Sequence, residues 1–233
     1  MTDDDVREAV RFFWQSRVGQ LTSQRDRGVS DQGSRGAVTG GANMDGFVEL
    51  IRREVLGEGF DESEVFTKRG VELPGFFRPT KKWDLLVVRD GRLYAAIEVK
   101  SQVGSLGNNF NNRSEEAIGN AVDIWTAYRE EVFAAEVQPW VGYIMHLEDS
   151  PKSTTPVSVA EPHFGVLPEF RDASYADRYR ILCKKLVLER HYSGAALITS
   201  ARTAAKDGEF REPDPALSLS AFVRALRGSI RQV

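Results

Sequence analysis

The sequence predicts an α/β fold in which a mixed β-sheet carries helices on both faces. Amphipathic segments of helical period alternate with short apolar runs along most of the chain. Two of those runs, WDLLVV and LYAAIEV, flank Asp90-Gly91 and read as an antiparallel β-hairpin. The resulting order, a helix and short strand, the hairpin, two further helix-strand pairs and a closing helix, suggests a mixed sheet between helical layers. At 233 residues the chain suits one domain over 1–233 with a full core.

Residues 3–18 carry Val6, Ala9, Val10, Phe13, Trp14 and Val18 at helical spacing, with Thr2 or Asp3 as cap. Residues 19–43 lack apolar periodicity but hold glycine, serine, Arg25, Arg27 and Arg35. Long loops of this kind are functional or disordered, and arginine on such an arm can follow a DNA backbone or reach a guanine edge. A helix from Asn43 buries Phe47, Val48, Leu50, Ile51, Val55 and Leu56, and Asp45 and Glu49, four apart, share a face. Residues 57–80 form a connection with a short strand, VEL, and the loop PGFFRPTKK. It brings Arg78, Lys81 and Lys82 just upstream of Asp84, where phosphate contacts are expected.

Past the hairpin, residues 101–113, SQVGSLGNNFNNR, read as an irregular loop because glycine and asparagine favour turns and left-handed positions. Its Asn108, Asn109, Asn111 and Asn112 have the chemistry of adenine readers, and Arg113 that of a grip on guanine or phosphate; a run of Asx turns without a partner is the other reading. A helix over 114–134, capped by Ser114, is expected to lay Ile118, Ala121, Val122, Trp125 and Tyr128 on the sheet. Residues 139–147 form a buried strand in which His146 is a hydrogen-bonded sheet residue, and 148–172 a loop reaching toward DNA or a second subunit. A helix over 174–190 capped by Ser174, the strand SGAALITS and a helix over 217–231 complete the chain.

Charged residues single out 81–101, KKWDLLVVRDGRLYAAIEVKS. Asp84, Glu98 and Lys100 lie inside otherwise apolar strands, where charges belong when they pair or bind metal. Period two places Glu98 and Lys100 on one face. A regular two-residue Asp90-Gly91 loop would pair Trp83 with Glu98 and send Asp84 to the opposite face. A three-residue loop, Arg89 to Gly91, with Gly91 left-handed in a bulge, restores Asp84 to the face of Glu98, and that hairpin is the predicted one. Two carboxylates converging with a lysine suit Mg²⁺-dependent phosphodiester cleavage: oxygen ligands for the metal, here Asp84, Glu98 and Val99, and a cation to orient or deprotonate water. An exposed hairpin with a cross-strand ion pair is the alternative on spacing alone.

Asp84-x(13)-Glu98-x-Lys100 is the pattern of the PD-(D/E)xK nucleases, with Trp83 where that family often has proline. The segments GGANMDGF, KKWDLLV, AIEVKSQVG, GNNFNNRSEEAIG and ASYADRYRILCKKLV resemble the XhoI family of type II restriction endonucleases. The resemblance implies a restriction-endonuclease-like core, Mg²⁺ as cofactor, and cleavage of double-stranded DNA at CTCGAG. It also implies a homodimer matching the palindrome and a cognate DNA methyltransferase as functional partner. It implies, too, that the helix before the hairpin donates a carboxylate, Glu49 with Asp45 in reserve; an exposed acidic face answered by Arg52 and Arg53 is the other reading. A junction resolvase or repair nuclease, or a DNA-binding module without catalysis, are the competing functions.

Composition narrows the field further. A net charge of −3 excludes coating of nucleic acid by bulk attraction but leaves room for basic residues gathered in a cleft. No apolar run approaches a membrane span and MTDDDVREAV is no signal peptide. The single cysteine, Cys183, excludes internal disulfides and fits a reducing cytoplasm. P-loop, zinc-ligand, Ser-His-Asp and nucleotide-binding glycine patterns are absent.

Overall fold

A computed structural model of the chain describes residues 1–26, 42–133 and 138–231, and for 20–26 the backbone alone. Its sheet has five strands in the order β1-β4-β5-β6-β7. β4 (Leu85–Arg89) and β5 (Arg92–Gln102) form the predicted hairpin, and β1 (Val65–Phe66) adds antiparallel to β4. β6 (Trp140–Glu148) and β7 (Gly194–Ser200) follow in parallel on the other side. Every residue of β6 and β7 is buried, which is why both read as unbroken apolar runs. β2 (Glu72–Pro74) and β3 (Thr80–Lys82) form a separate antiparallel ladder that delivers the chain to Asp84.

Two helical layers enclose the sheet, as predicted. One face packs on α1 (Asp3–Asp26), α2 (Asp45–Leu56) and α7 (Leu219–Ile230) through Phe13, Phe47, Ile51, Phe222 and Leu226 against Leu85, Val87, Ile97 and Ile144. The other face carries α3 (Leu106–Arg129) and α5 (Tyr175–Leu188), whose Ala117, Ala121, Ile124, Tyr179 and Cys183 meet Leu86, Ala96, Tyr143 and Leu197. The short helices α4 (Pro151–Thr154) and α6 (Ala204–Asp207) lie in the connections. Ser174 and Ser218 cap α5 and α7, each accepting a backbone N–H from three residues on. In the sheet's centre His146 shares a hydrogen bond with the Ser200 hydroxyl at 2.7 Å. Burial pushes its pKa down to about 3, so it is a neutral structural residue. Among the described residues no helix is long and apolar enough to cross a membrane.

The structure corrects three local expectations. The predicted loop does not start at residue 19, because α1 continues to Asp26 and nothing in 20–26 breaks the helix. Arg25 therefore sits on the last turn of α1, while Arg27 and Arg35 lie outside the described residues. Residues 106–113 are helical rather than irregular, since α3 starts at Leu106, eight residues before Ser114. Leu106 and Phe110 extend its buried stripe upstream, and Phe110 packs edge-on to Tyr179 at 5.1 Å, so tertiary contact overrides the weak helix propensity of asparagine. The helix is also rotated from the expected face: Ile118 and Val122 are exposed while Asn120 and Asp123 are buried.

The third correction concerns the hairpin. Its turn has two residues, Arg89 pairing with Arg92, and both Asp90 (φ 52°) and Gly91 (φ 73°) are left-handed, the backbone of a type I′ turn. The extra residue is Tyr94: Val88 pairs with Leu93 but Val87 with Ala95, so Tyr94 and Ala95 both enter the layer under α1 and α2. The bulge thus moves from turn to strand. Tyr94 is retained there by its edge-on contact with Phe60 at 5.4 Å. Downstream of the bulge Leu85 faces Ile97, which sets Asp84 opposite Glu98, the register the sequence reading required.

The turn generates the first prediction. Gly91→Val places a β-branched residue at φ 73° and should lower the urea midpoint by the equivalent of roughly 1–2 kcal/mol with an unchanged slope. An unchanged midpoint would exclude a left-handed residue at this position.

Candidate active site

Asp84, Glu98 and Lys100 project from the α3 side of the sheet. Their neighbours on alternate positions, Leu86 and Ala96, belong to that layer, whereas Leu85, Ile97 and Val99 face α1 and α2. Glu98 is 2% exposed. One of its oxygens is ion-paired with Lys100 Nζ, and the other accepts a hydrogen bond from Lys81 Nζ at 2.6 Å. Asp84 accepts the Val99 N–H through Oδ2 at 2.7 Å. The N–H and C=O of one strand residue point the same way, so the Val99 carbonyl also faces the Asp84 side.

Lys81, expected as a phosphate contact, is in fact a member of this cluster. β3 brings it under β5, and its ammonium lies 4.5 Å from the centroid of the Trp83 ring as well as on Glu98. Its neighbour Lys82 faces outward, 3.4 Å from Glu72. No period-two argument reaches Lys81, because β3 belongs to the second ladder and not to the sheet.

The charges are mutually conditioned. Burial pushes the Asp84 carboxyl up, the Glu98 charge adds to it, and Lys100, the Val99 N–H and Lys81 only partly oppose them, leaving a pKa of about 6. Burial also pushes Glu98 up, but Lys100 and Lys81 outweigh it and hold that carboxyl below its ordinary value. Lys100 loses by burial and gains more from Glu98 and Asp84, so it stays protonated well beyond neutral pH. The cluster therefore contains one firmly ionised carboxylate, one poised near neutrality and two cations.

Among the remaining predicted residues, Asn108, Asn111 and Asn112 share one exposed face of α3's first turns, being three and four apart. Asn109 instead donates to the Ser105 carbonyl at 3.0 Å, closing the helix start. Arg113 lies among the charges acting on Lys100 and pairs with Glu116 at 2.6 Å. Glu49 is not brought to Asp84 and Glu98: α2 covers the opposite face, and Glu49 is bound there by Arg52 and Arg53, both at 3.3 Å. Asp45, the reserve, pairs with Lys68 at 3.4 Å. The reading of that acidic face as answered by Arg52 and Arg53 is the one the geometry bears out.

A second buried carboxylate, missed in the sequence, fixes the approach to the site. Asp123 of α3 accepts the N–H groups of Phe76 and Phe77, both at 2.9 Å, and Arg78 Nε at 2.7 Å. Arg78 also donates to Asn120 at 2.9 Å. These bonds explain the rotation of α3, since its buried side carries polar groups matched to the 75–79 loop. They leave no apolar signal to read.

The comparisons with known proteins agree with one another. Residues 23–212 match the family described as restriction endonuclease XhoI. The type II restriction enzyme BstVI of Geobacillus stearothermophilus is 50% identical over 202 residues, covering 84% of this chain and 90% of that protein. The type II restriction enzyme XhoI of Xanthomonas vasicola is 46% identical over 187 residues, covering 79% and 75% respectively. AbrI of Azospirillum brasilense, also a type II restriction enzyme, is 49% identical over 161 residues, 68% of this chain and 72% of its own. No solved structure matches the chain.

The poised carboxylate generates the second prediction. Because the folded Asp84 holds its proton up to about pH 6, its contribution to stability is present at pH 4 and below and is lost as pH rises through 6. Asp84→Asn, which keeps an acceptor for Val99 N–H, should make the metal-free protein more stable than the parent by about 3 kcal/mol at pH 8. The advantage should vanish near pH 3.5. Urea titrations of both proteins across this range measure it, and a pH-independent difference would assign the effect to packing.

Proposed function

Because the chain belongs to the XhoI restriction endonuclease family, we propose that the Asp84, Glu98 and Lys100 cluster hydrolyses phosphodiester bonds in double-stranded DNA with Mg²⁺ at the palindrome CTCGAG. The observation that carries this reading is the register: a strand bulge sets Asp84 opposite Glu98, with Lys100 two residues further on the same face. The donor set fits a hard divalent cation. Asp84 Oδ2 is its only oxygen with a described hydrogen bond, its charge is disfavoured by the Glu98 carboxylate beside it, and both ligands are oxygens. Asp84, Glu98 and the Val99 carbonyl would hold the ion, which supplies positive charge against the charge developing on the phosphate in an in-line displacement.

The chain's own groups do the rest. Lys100, beside the Glu98 carboxylate, is placed to orient or deprotonate the attacking water and to neutralise phosphate charge. Lys81, carried by the separate β2–β3 strand pair, keeps Glu98 ionised through its second oxygen. The exposed Asn108, Asn111 and Asn112 face of α3 is the base-reading surface, with bidentate contacts to adenine as its chemistry. Arg113, beside Lys100, grips a phosphate near the cut. A two-fold homodimer would present one site to each strand of the palindrome, and a cognate methyltransferase would protect host DNA in the same cytoplasm. N6-methylation of the adenine removes a donor an asparagine reads and adds bulk.

Incubating plasmid with the protein and Mg²⁺ tests the reading: discrete fragments ending within CTCGAG are expected. A smear would favour a repair nuclease, and a gel shift without cutting a binding module. Glu98→Ala should lower the cleavage rate by several powers of ten with binding retained. Asn111→Ala should cost about 1–3 kcal/mol against the cognate site only, measured by competition with unrelated duplex. Duplexes carrying N6-methyladenine in the site should resist cutting; equal cleavage of all modified duplexes would remove the restriction–modification role.

A further inference from the structure

The 75–79 loop, GFFRP, is the most deliberately held exposed feature in the described structure. Its tip is pinned by the two backbone bonds to Asp123 Oδ1 and the Arg78 bonds to Asp123 and Asn120, all from side chains buried in α3. Gly75 has no room for a side chain, since a Cβ there would lie 2.6 Å from Asp123 Oδ2 and 2.8 Å from the Arg78 carbonyl. Yet this anchored loop directs its aromatic rings outward: Phe76 is 48% and Phe77 68% exposed, with centroids 4.9 Å apart at 81°. Rings this exposed leave much of their apolar area in water. A rigid aromatic tip is a surface prepared for contact.

Connectivity to the charged cluster says what it contacts. Lys68, Arg78, Lys81 and Lys82 already pair with Asp45, Asp123, Glu98 and Glu72, so the partner is set by what reaches Glu98, which on the nuclease reading is a DNA duplex. Lys81 touches Glu98 and lies only four positions after Phe77, so the tip's backbone is within about 13 Å of Lys81 even with the chain fully extended. On a duplex seated with a phosphate at Glu98, that reach spans about four base-pair steps.

Resting on the nuclease reading above, we propose that the Phe76–Phe77 tip is a wedge that stacks on or between bases of the duplex beside the cut. It opens a single base step and locally bends the DNA. Arg78 cannot replace it in this role, because both of its described bonds turn it inward onto α3. Unstacking by an apolar side chain is sequence-tolerant but favours flexible pyrimidine–purine steps, so the wedge adds selectivity without a hydrogen bond to any base.

The test uses duplexes of the sequence the parent protein cuts, with 2-aminopurine placed in turn at each position of the site and at three flanking positions on either side. Binding is followed with the metal-free protein so that no cleavage intervenes. One step should brighten on binding to the parent, Phe77→Ala should abolish that signal and lower duplex affinity about ten-fold, and Phe77→Trp should restore both. The melting temperature of Phe77→Ala should match the parent, as the ring is exposed. A probe signal that survives in Phe76→Ala/Phe77→Ala, or no brightening at any position, overturns the wedge while leaving cleavage by the parent, and with it the nuclease reading, intact. Loss of self-association in the double variant with probe signals unchanged would assign the rings to a second copy of the chain and equally overturn it. A parent that neither binds nor cuts any duplex overturns both.

Discussion

The Glu98 carboxylate, 2% exposed in the middle strand of the sheet, persists as a charge because Lys81 and Lys100 each take one of its oxygens. An ion of this size moved from water into a protein interior carries a penalty of several kcal/mol, and removing one partner of such a cluster costs about 3–5 kcal/mol. The two lysines come from different sheets. Lys100 is supplied by Glu98's own strand, but Lys81 arrives on the β2–β3 ladder, which must dock correctly before Glu98 is satisfied. The site thus makes the docking of the second ladder a condition for burying its own carboxylate.

Asp123 answers the same need from the other end of that ladder. Its pKa is pulled in opposite directions: burial raises it, but the N–H groups of Phe77 and Phe76 and the Arg78 guanidinium lower it further, so it remains an anion under the loop. Two buried carboxylates, one on β5 and one on α3, therefore hold the segment 75–82 at both ends. That segment borders the site, and α3, which carries Asp123, also carries the exposed asparagines and Arg113. The charged cluster, the exposed asparagine face and the aromatic tip are linked through one helix and one short ladder, so their relative positions are fixed without a long loop between them.

The poise of Asp84 follows from the same arrangement. Lys81 and Lys100 both sit on Glu98, so Asp84 meets its neighbour's negative charge with only partial compensation and one backbone donor. An uneven division of cations between two carboxylates leaves the less favoured one open to a further cation. Glu98 is already satisfied by two cations, whereas Asp84 is not.

How much of this was legible depended on whether the signal was local. Periodicity identified both helical layers, the hairpin and the two buried parallel strands, because burial on one or both faces writes itself into spacing. The charged interruptions of an apolar hairpin marked Asp84, Glu98 and Lys100, and the requirement that they share a face demanded one extra residue somewhere in the hairpin. Where that residue would go was decided by Phe60, 34 positions before Tyr94, whose packing stabilises a bulge in the strand and frees the turn to take its preferred two-residue form. Likewise the asparagine-rich stretch has the composition of a loop, and the tertiary packing of Leu106 and of Phe110 against Tyr179 makes it a helix. The sequence by itself determined the fold class, the strand pair and the three charged residues, since these rest on alternation and composition within a few neighbours. The tertiary structure alone decided the bulge, the inward turn of Lys81, the removal of Glu49 to the far face and the anchoring of the aromatic tip by Asp123. Each of these depends on which distant residue arrives to satisfy a buried charge or fill a gap, and no local pattern encodes that.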